Sequence, residues 1–106
     1  MMRSIVNVPK TARAGEVIEI KTMIAHPMET GYRTGTNGAT IPRNIISRFV
    51  CTYDGEEVFS AELFPAIAAN PLIAFTTVAV QTGTLTFAWT DDSGATETTT
   101  AEITVI

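Results

Sequence analysis

Hydrophobic and polar positions alternate with a period of two over most of the chain, the signature of β-strands that bury one face. From Gly83 to Thr90, Leu85, Phe87 and Trp89 alternate with Thr84, Thr86 and Ala88. Glu16 to Ile24 sets Ile18, Ile20 and Ile24 against Glu19, Lys21 and Met23, and the threonine-rich Ala95 to Ile106 repeats the pattern through Ala101, Ile103 and Val105. Further strands are predicted at Ile5 to Val8, Ile45 to Tyr53, Glu57 to Leu63 and Leu72 to Val80, each rich in β-branched or aromatic residues. Turn chemistry separates them at Asn37-Gly38, at Asp54-Gly55 and from Asp91 to Gly94. Only Phe64 to Asn70, with Pro65 and Pro71 around its alanine-rich centre, has room for a helical turn. About seven short strands predict an all-β fold: a single immunoglobulin-like antiparallel β-sandwich over residues 1–106.

Two predicted strands break the alternation. Ile45-Ile46 with Phe49-Val50, and the run Leu72-Ile73-Ala74-Phe75, place large apolar residues on both faces. A sandwich strand should have one wet face, so the second apolar face is expected to meet a protein partner. The alternative is that the chain's own long loop, from Pro27 to Pro42, covers it.

Composition narrows the classes. The chain has 106 residues, 45% hydrophobic and 17% charged, which suits one globular domain and not a disordered one. Its net charge is −4 and its seven basic residues are scattered singly. Nucleic-acid grooves and anionic membrane surfaces need clustered Lys and Arg, so neither is expected as a partner. No apolar run approaches the roughly 18–20 residues of a membrane-spanning helix. The opening MMRSIVNVPK contains no apolar stretch of the usual signal-peptide length, so a cleavable export signal of the chain's own is not expected. Cys51 is the single cysteine and can form no intrachain disulfide.

The candidate chemistry is sparse. Cys51 shares a face with Phe49 and Tyr53, a core position without the exposure and positive neighbour that a reactive thiol needs. A Cys51–His26 nucleophilic pair stays open, because catalytic partners meet in space and not along the chain. Structural zinc takes about four ligands, and one His with one Cys falls short. Gly31, Gly35 and Gly38 lack the spacing of a phosphate loop and read as turn residues, as do Asp91 and Asp92. The residues thus favour a binding or assembly module over an enzyme, with no catalytic, metal or cofactor site expected.

One stretch is more specific. His26-Pro27-Met28-Glu29-Thr30-Gly31-Tyr32-Arg33, then Ile41-Pro42-Arg43, then Val50 to Gly55, resembles the SoxZ family of bacterial sulfur-oxidation proteins. Ala69-Asn70-Pro71 before Phe75, and Gly83 to Gly94, are similar to the same family in the same order, so the resemblance spans nearly the whole chain. It implies a β-sandwich subunit that pairs with a SoxY-type partner as a heterodimer or larger complex, the sulfur carrier of thiosulfate oxidation. It also implies that the cargo is held on a cysteine in the partner's C-terminal tail, which the other sulfur-oxidation enzymes visit in transient contact. A periplasmic location follows from the same resemblance, reached by export with the partner.

Two docking surfaces are expected. One is the doubly apolar strands, through Ile46, Val50, Leu72 and Ile73. The other is the His26 block, as a fixed turn offering Met28, Tyr32 and Arg33, side-chain types suited to binding hot spots. Alternatively, His26 and Glu29 only satisfy backbone groups of the loop. The rival functions are a carrier or enzyme that uses Cys51 itself as the sulfur nucleophile, and an independent ligand-binding sandwich.

Overall fold

The computed structural model describes residues 2–106, and among them lie eight strands and no helix. In chain order these are β1 (Arg3–Asn7), β2 (Thr11–Ala12), β3 (Val17–Ala25), β4 (Ile46–Tyr53), β5 (Glu56–Glu62), β6 (Leu72–Val78), β7 (Gly83–Asp91) and β8 (Thr96–Val105). They form two layers, a small sheet in the order β1-β3-β6 and a large one in the order β2-β8-β7-β4-β5. The sandwich expected from the alternation is therefore present, with three departures. The two-residue β2 pairs with β8 in parallel, Thr11 opposite Thr104, and is too short to carry a period. Phe64 to Asn70 turns back through an Ile67 N–H to Phe64 C=O bond and holds no helical turn, bracketed as it is by prolines. β6 stops at Val78, after which Ala79 donates its N–H to the Glu16 carbonyl.

The alternation places the core as the pattern requires. Along β3, Ile18, Ile20, Thr22 and Ile24 point inward, and the one hydroxyl among them donates to the Ile73 carbonyl at 3.0 Å. Leu85, Phe87 and Trp89 of β7 face them from the large sheet. Phe49 of β4 lies at the centre, its ring within 5.1–6.3 Å of those of Trp89, Phe75, Phe59 and Phe87. It joins both sheets to one aromatic cluster. The turn between β4 and β5 has positive φ at both Asp54 (50°) and Gly55 (85°), the mirror-image turn that Asp-Gly favours in tight hairpins.

The doubled apolar pair Ile45-Ile46 has an internal cause. The register between β4 and β7 shifts between Ile46 and Arg48, and this bulge lets both isoleucines reach the core, where both are fully buried. The expected second apolar face on β4 is thus absent at Ile46.

Phe49→Ala removes a ring that touches four others in a closed core. It is expected to lower stability by about 3–5 kcal/mol, measured by urea unfolding followed through Trp89 fluorescence.

Candidate functional site

His26 follows directly on the end of β3 and fixes the start of the long loop. Its ring is buried between two partners. The Met28 N–H lies 2.9 Å from Nδ1, and because a backbone amide only donates, Nδ1 must accept. Nε2 then carries the hydrogen and donates to Asp91 Oδ2 at 3.2 Å. Asp91 stands at the end of β7 in the other sheet, so this bond ties the sheets together at one end of the sandwich. Around it, the His26 N–H donates to Asn70 Oδ1 and the Asn70 N–H donates to the His26 carbonyl.

Burial pushes the Asp91 carboxyl up, but hydrogen bonds from the Ser93 hydroxyl, His26, the Ala95 amide and the Ser93 amide outweigh it and hold its pKa below the usual carboxylate value. The carboxylate therefore closes the β7–β8 turn and receives the histidine at once.

From this anchor the loop rises as a hairpin. Met28 takes a left-handed conformation (φ 54°) that turns its thioether into the core, with Sδ 3.2 Å from the Ile46 N–H. Glu29 and Asn44 exchange paired backbone bonds of 2.8 Å, and Thr34 bridges Thr40 near the tip. Gly31 is required here, because its φ is +90° and a Cβ would meet Arg43 Cβ at 3.1 Å. Arg33 pairs with Glu29 at 2.6 Å, and this hydrogen bond raises the guanidinium's pKa and lowers the carboxyl's. Arg43 grips Asp92 with two bonds, of 2.8 and 3.1 Å. Both arginines are thus engaged within the chain. The loop pairs with itself and does not cover the apolar strands.

The outer face of the small sheet is what remains uncovered. Ile5 of β1 stands opposite Met23 of β3, and Met23 opposite Leu72 of β6. Ile5 and Leu72 are each 65% exposed and Met23 39%, so an apolar row crosses all three strands. The outer face of the large sheet, in contrast, carries Thr84, Thr86, Thr98, Thr100 and Arg48.

These positions sort the sequence candidates. Tyr32 (82% exposed), Arg33 and Leu72 stand at the surface. Met28 and Ile46 are buried, so neither is offered to a partner, and His26 serves as an internal anchor. Val50 and Ile73 are half-buried, Val50 on the outer face of the large sheet and Ile73 against the core. Sequence reasoning missed Ile5 and Met23, since it set Met23 on the outer face of its strand and gave Ile5 no face at all. It also read Asp91 as a turn residue only. Cys51 is fully buried beside Phe49 and Phe87, and burial pushes its thiol pKa up to about 12. No three His, Cys, Asp or Glu side chains gather as a metal site among the described residues.

Residues 5–102 match the family described as sulphur oxidation protein SoxZ. No curated protein matches the chain. Among solved structures, the superoxide reductase (neelaredoxin) from Ignicoccus hospitalis is similar, with a TM-score of 0.73 and 15% identity over 97% of this chain and 80% of that one. The sulfur carrier protein SoxY from Chlorobium limicola f thiosulfatophilum is similar with a TM-score of 0.69 and 12% identity, over 97% of this chain and 78% of that one. A CARDB domain from Pyrococcus furiosus, solved with di-metal ions, gives 0.54 and 10% over 100% and 94%. At these identities the likeness is one of fold.

Asp91→Asn keeps an oxygen for Ser93 and Ala95 but turns an amide N–H toward His26 Nε2–H, leaving two donors face to face. A loss of about 1–3 kcal/mol is expected at neutral pH, read by urea denaturation. Because the folded pKa of Asp91 is lowered, its contribution is complete above about pH 4 and is lost as pH falls through the folded value. The stability of Asp91→Asn should therefore decline less on acidification than that of the parent.

Proposed function

The chain belongs to the SoxZ family of sulphur oxidation proteins, and from that premise we propose that it is the non-catalytic subunit of a sulfur-carrier complex, binding a SoxY-type partner that holds the sulfur covalently. The observation that carries the proposal is the Ile5–Met23–Leu72 row, a continuous apolar strip on a sheet that otherwise has no second layer on that side. Burying an aliphatic side chain of this size contributes about 1.5–3 kcal/mol, so three in a row can form the centre of an interface. Tyr32 and Arg33, at the surface of a hairpin anchored through His26, provide a second and smaller surface suited to transient contact with client enzymes. Periplasmic residence, with export alongside the partner, belongs to the same proposal.

The burial of Cys51 favours this reading over a carrier thiol on the chain itself. Thiolate is the attacking species, and a thiol raised to about 12 with no accessible surface offers almost none at neutral pH. The partner's cysteine is then the site of chemistry.

Co-purification from the native host followed by intact-mass analysis after thiosulfate turnover tests the division of labour. We expect one tightly held partner and a sulfur adduct confined to it, with Cys51→Ala unaffected in turnover. An adduct on Cys51 would sink the proposal. Leu72→Asp and Met23→Asp are each expected to weaken the complex at least tenfold, about 1.4 kcal/mol, by titration calorimetry. Tyr32→Ala should leave the complex intact and slow turnover.

A further inference from the structure

β6 is bonded on one side only. Its register with β3, together with bonds from the Ile24 N–H to the Pro71 carbonyl and from the Ala79 N–H to the Glu16 carbonyl, aims the backbone groups of Ile73, Phe75 and Thr77 at β3. In an antiparallel pair the alternate residues point the other way. Leu72, Ala74, Thr76 and Val78 therefore hold their N–H and C=O groups outward, and no backbone or side-chain partner meets them among the described residues.

This edge is also unguarded. Natural sheets protect free edges with charge, proline or brevity. β5, the neighbouring edge of the large sheet, has Glu56, Glu57 and Glu62, and β2 is two residues long. β1 begins with Arg3 and is drawn toward β8 by the Ser4 hydroxyl, which bonds Glu97 and Thr99. β6 reads LIAFTTV, seven residues with neither charge nor proline. Its strand is rigid, because Phe75 stacks on Phe59 at 4.4 Å and meets Phe49 at 6.0 Å.

We propose that the free edge of β6 receives an extended strand of the carrier partner, continuing the small sheet across the complex; this rests on the carrier-complex reading above. Main-chain bonds to Leu72, Ala74, Thr76 and Val78 supply register, and the apolar row that ends at Leu72 continues onto the added strand. The charge beside the edge selects the occupant. The cleft between β5 and β6 is lined by Asp54 and Glu56 with no lysine or arginine, whereas Glu57 lies on the outer face of the large sheet beside Arg48. A second copy of this chain docking edge to edge would bring its own acidic rim against the first. The strand that fits is uncharged along β6 and carries Lys or Arg where it passes β5. A carrier built on the same sandwich, as the SoxY structure is, has edge strands of its own to offer.

Amide hydrogen exchange on the free chain and on the native complex reads this directly. The amides of Leu72, Ala74, Thr76 and Val78 are expected to slow at least tenfold on complex formation, while those of Ile73, Phe75 and Thr77 are protected in both states. Thr76→Pro removes one outward N–H at a position where an edge tolerates proline, and should bind at least tenfold more weakly than Thr76→Val, with folding checked by Trp89 fluorescence. A complex that forms with unchanged exchange at those amides, or with folded Thr76→Pro binding as Thr76→Val does, overturns the edge proposal and leaves the carrier reading standing. If Thr76→Pro does not fold, exchange alone decides. Slowed exchange in the free chain at high concentration would assign the edge to a second copy and overturn the proposal, and absence of any complex would overturn both.

Discussion

The contact of Phe75 with Phe49 and Phe59 is the interaction on which the exposed half of the molecule depends. β6 has one hydrogen-bonded neighbour, and a strand so placed frays unless its inward side chains are held. Phe75 supplies that hold by reaching from the small sheet into the aromatic cluster of the large one. Because Phe59 is on β5, the stack also fixes the separation of two edges on the same side of the sandwich. Everything outside Phe75, both the row at Leu72 and the outward backbone groups, inherits its position from that ring.

The opposite need, to bind a loop firmly without a sheet, is met by polar groups. His26 accepts from the Met28 N–H and donates to Asp91, and hydrogen bonds from Ser93 and Ala95 complete the buried carboxylate, which offsets the cost of burying its charge. Asn70 adds reciprocal bonds to the same backbone. The result is a hairpin from Glu29 to Asn44 whose base is defined to a single arrangement, and whose tip stays exposed. Of the two sequence readings of His26, it is an anchor within the protein, and the exposed side chains of the block are Tyr32 and the Glu29-paired Arg33.

How much was legible in the sequence follows from which forces are local. Strand alternation depends on one strand and its solvent, and it placed Ile18, Ile20, Leu85, Phe87, Trp89 and Ile103 in the core without error. The Asp54-Gly55 turn was equally local. The burial of Ile46 was not, because a bulge against β7 reverses the face that period two assigns. Met28 looked exposed among Pro and Gly, yet a left-handed backbone turned it inward. The apolar row escaped notice because it consists of one residue from each of three strands, joined only by register. Asp91 met His26 across the two layers, a pairing that no spacing along the chain encodes.

The two edges on one side of the sandwich differ in how they meet other strands. An edge guarded by glutamates repels other strands, and an edge without charge accepts them; a protein with both can discriminate by charge while binding through backbone. Backbone pairing is tolerant of side-chain sequence, so the pairing proposed for β6 does not depend on its exact residues. The acidic rim then provides the selectivity that hydrogen bonds lack, since each copy of the chain presents the same sign to any other copy. The carrier complex proposed above needs a base that neither self-associates nor lets go. An uncharged strand beside an acidic one satisfies both conditions.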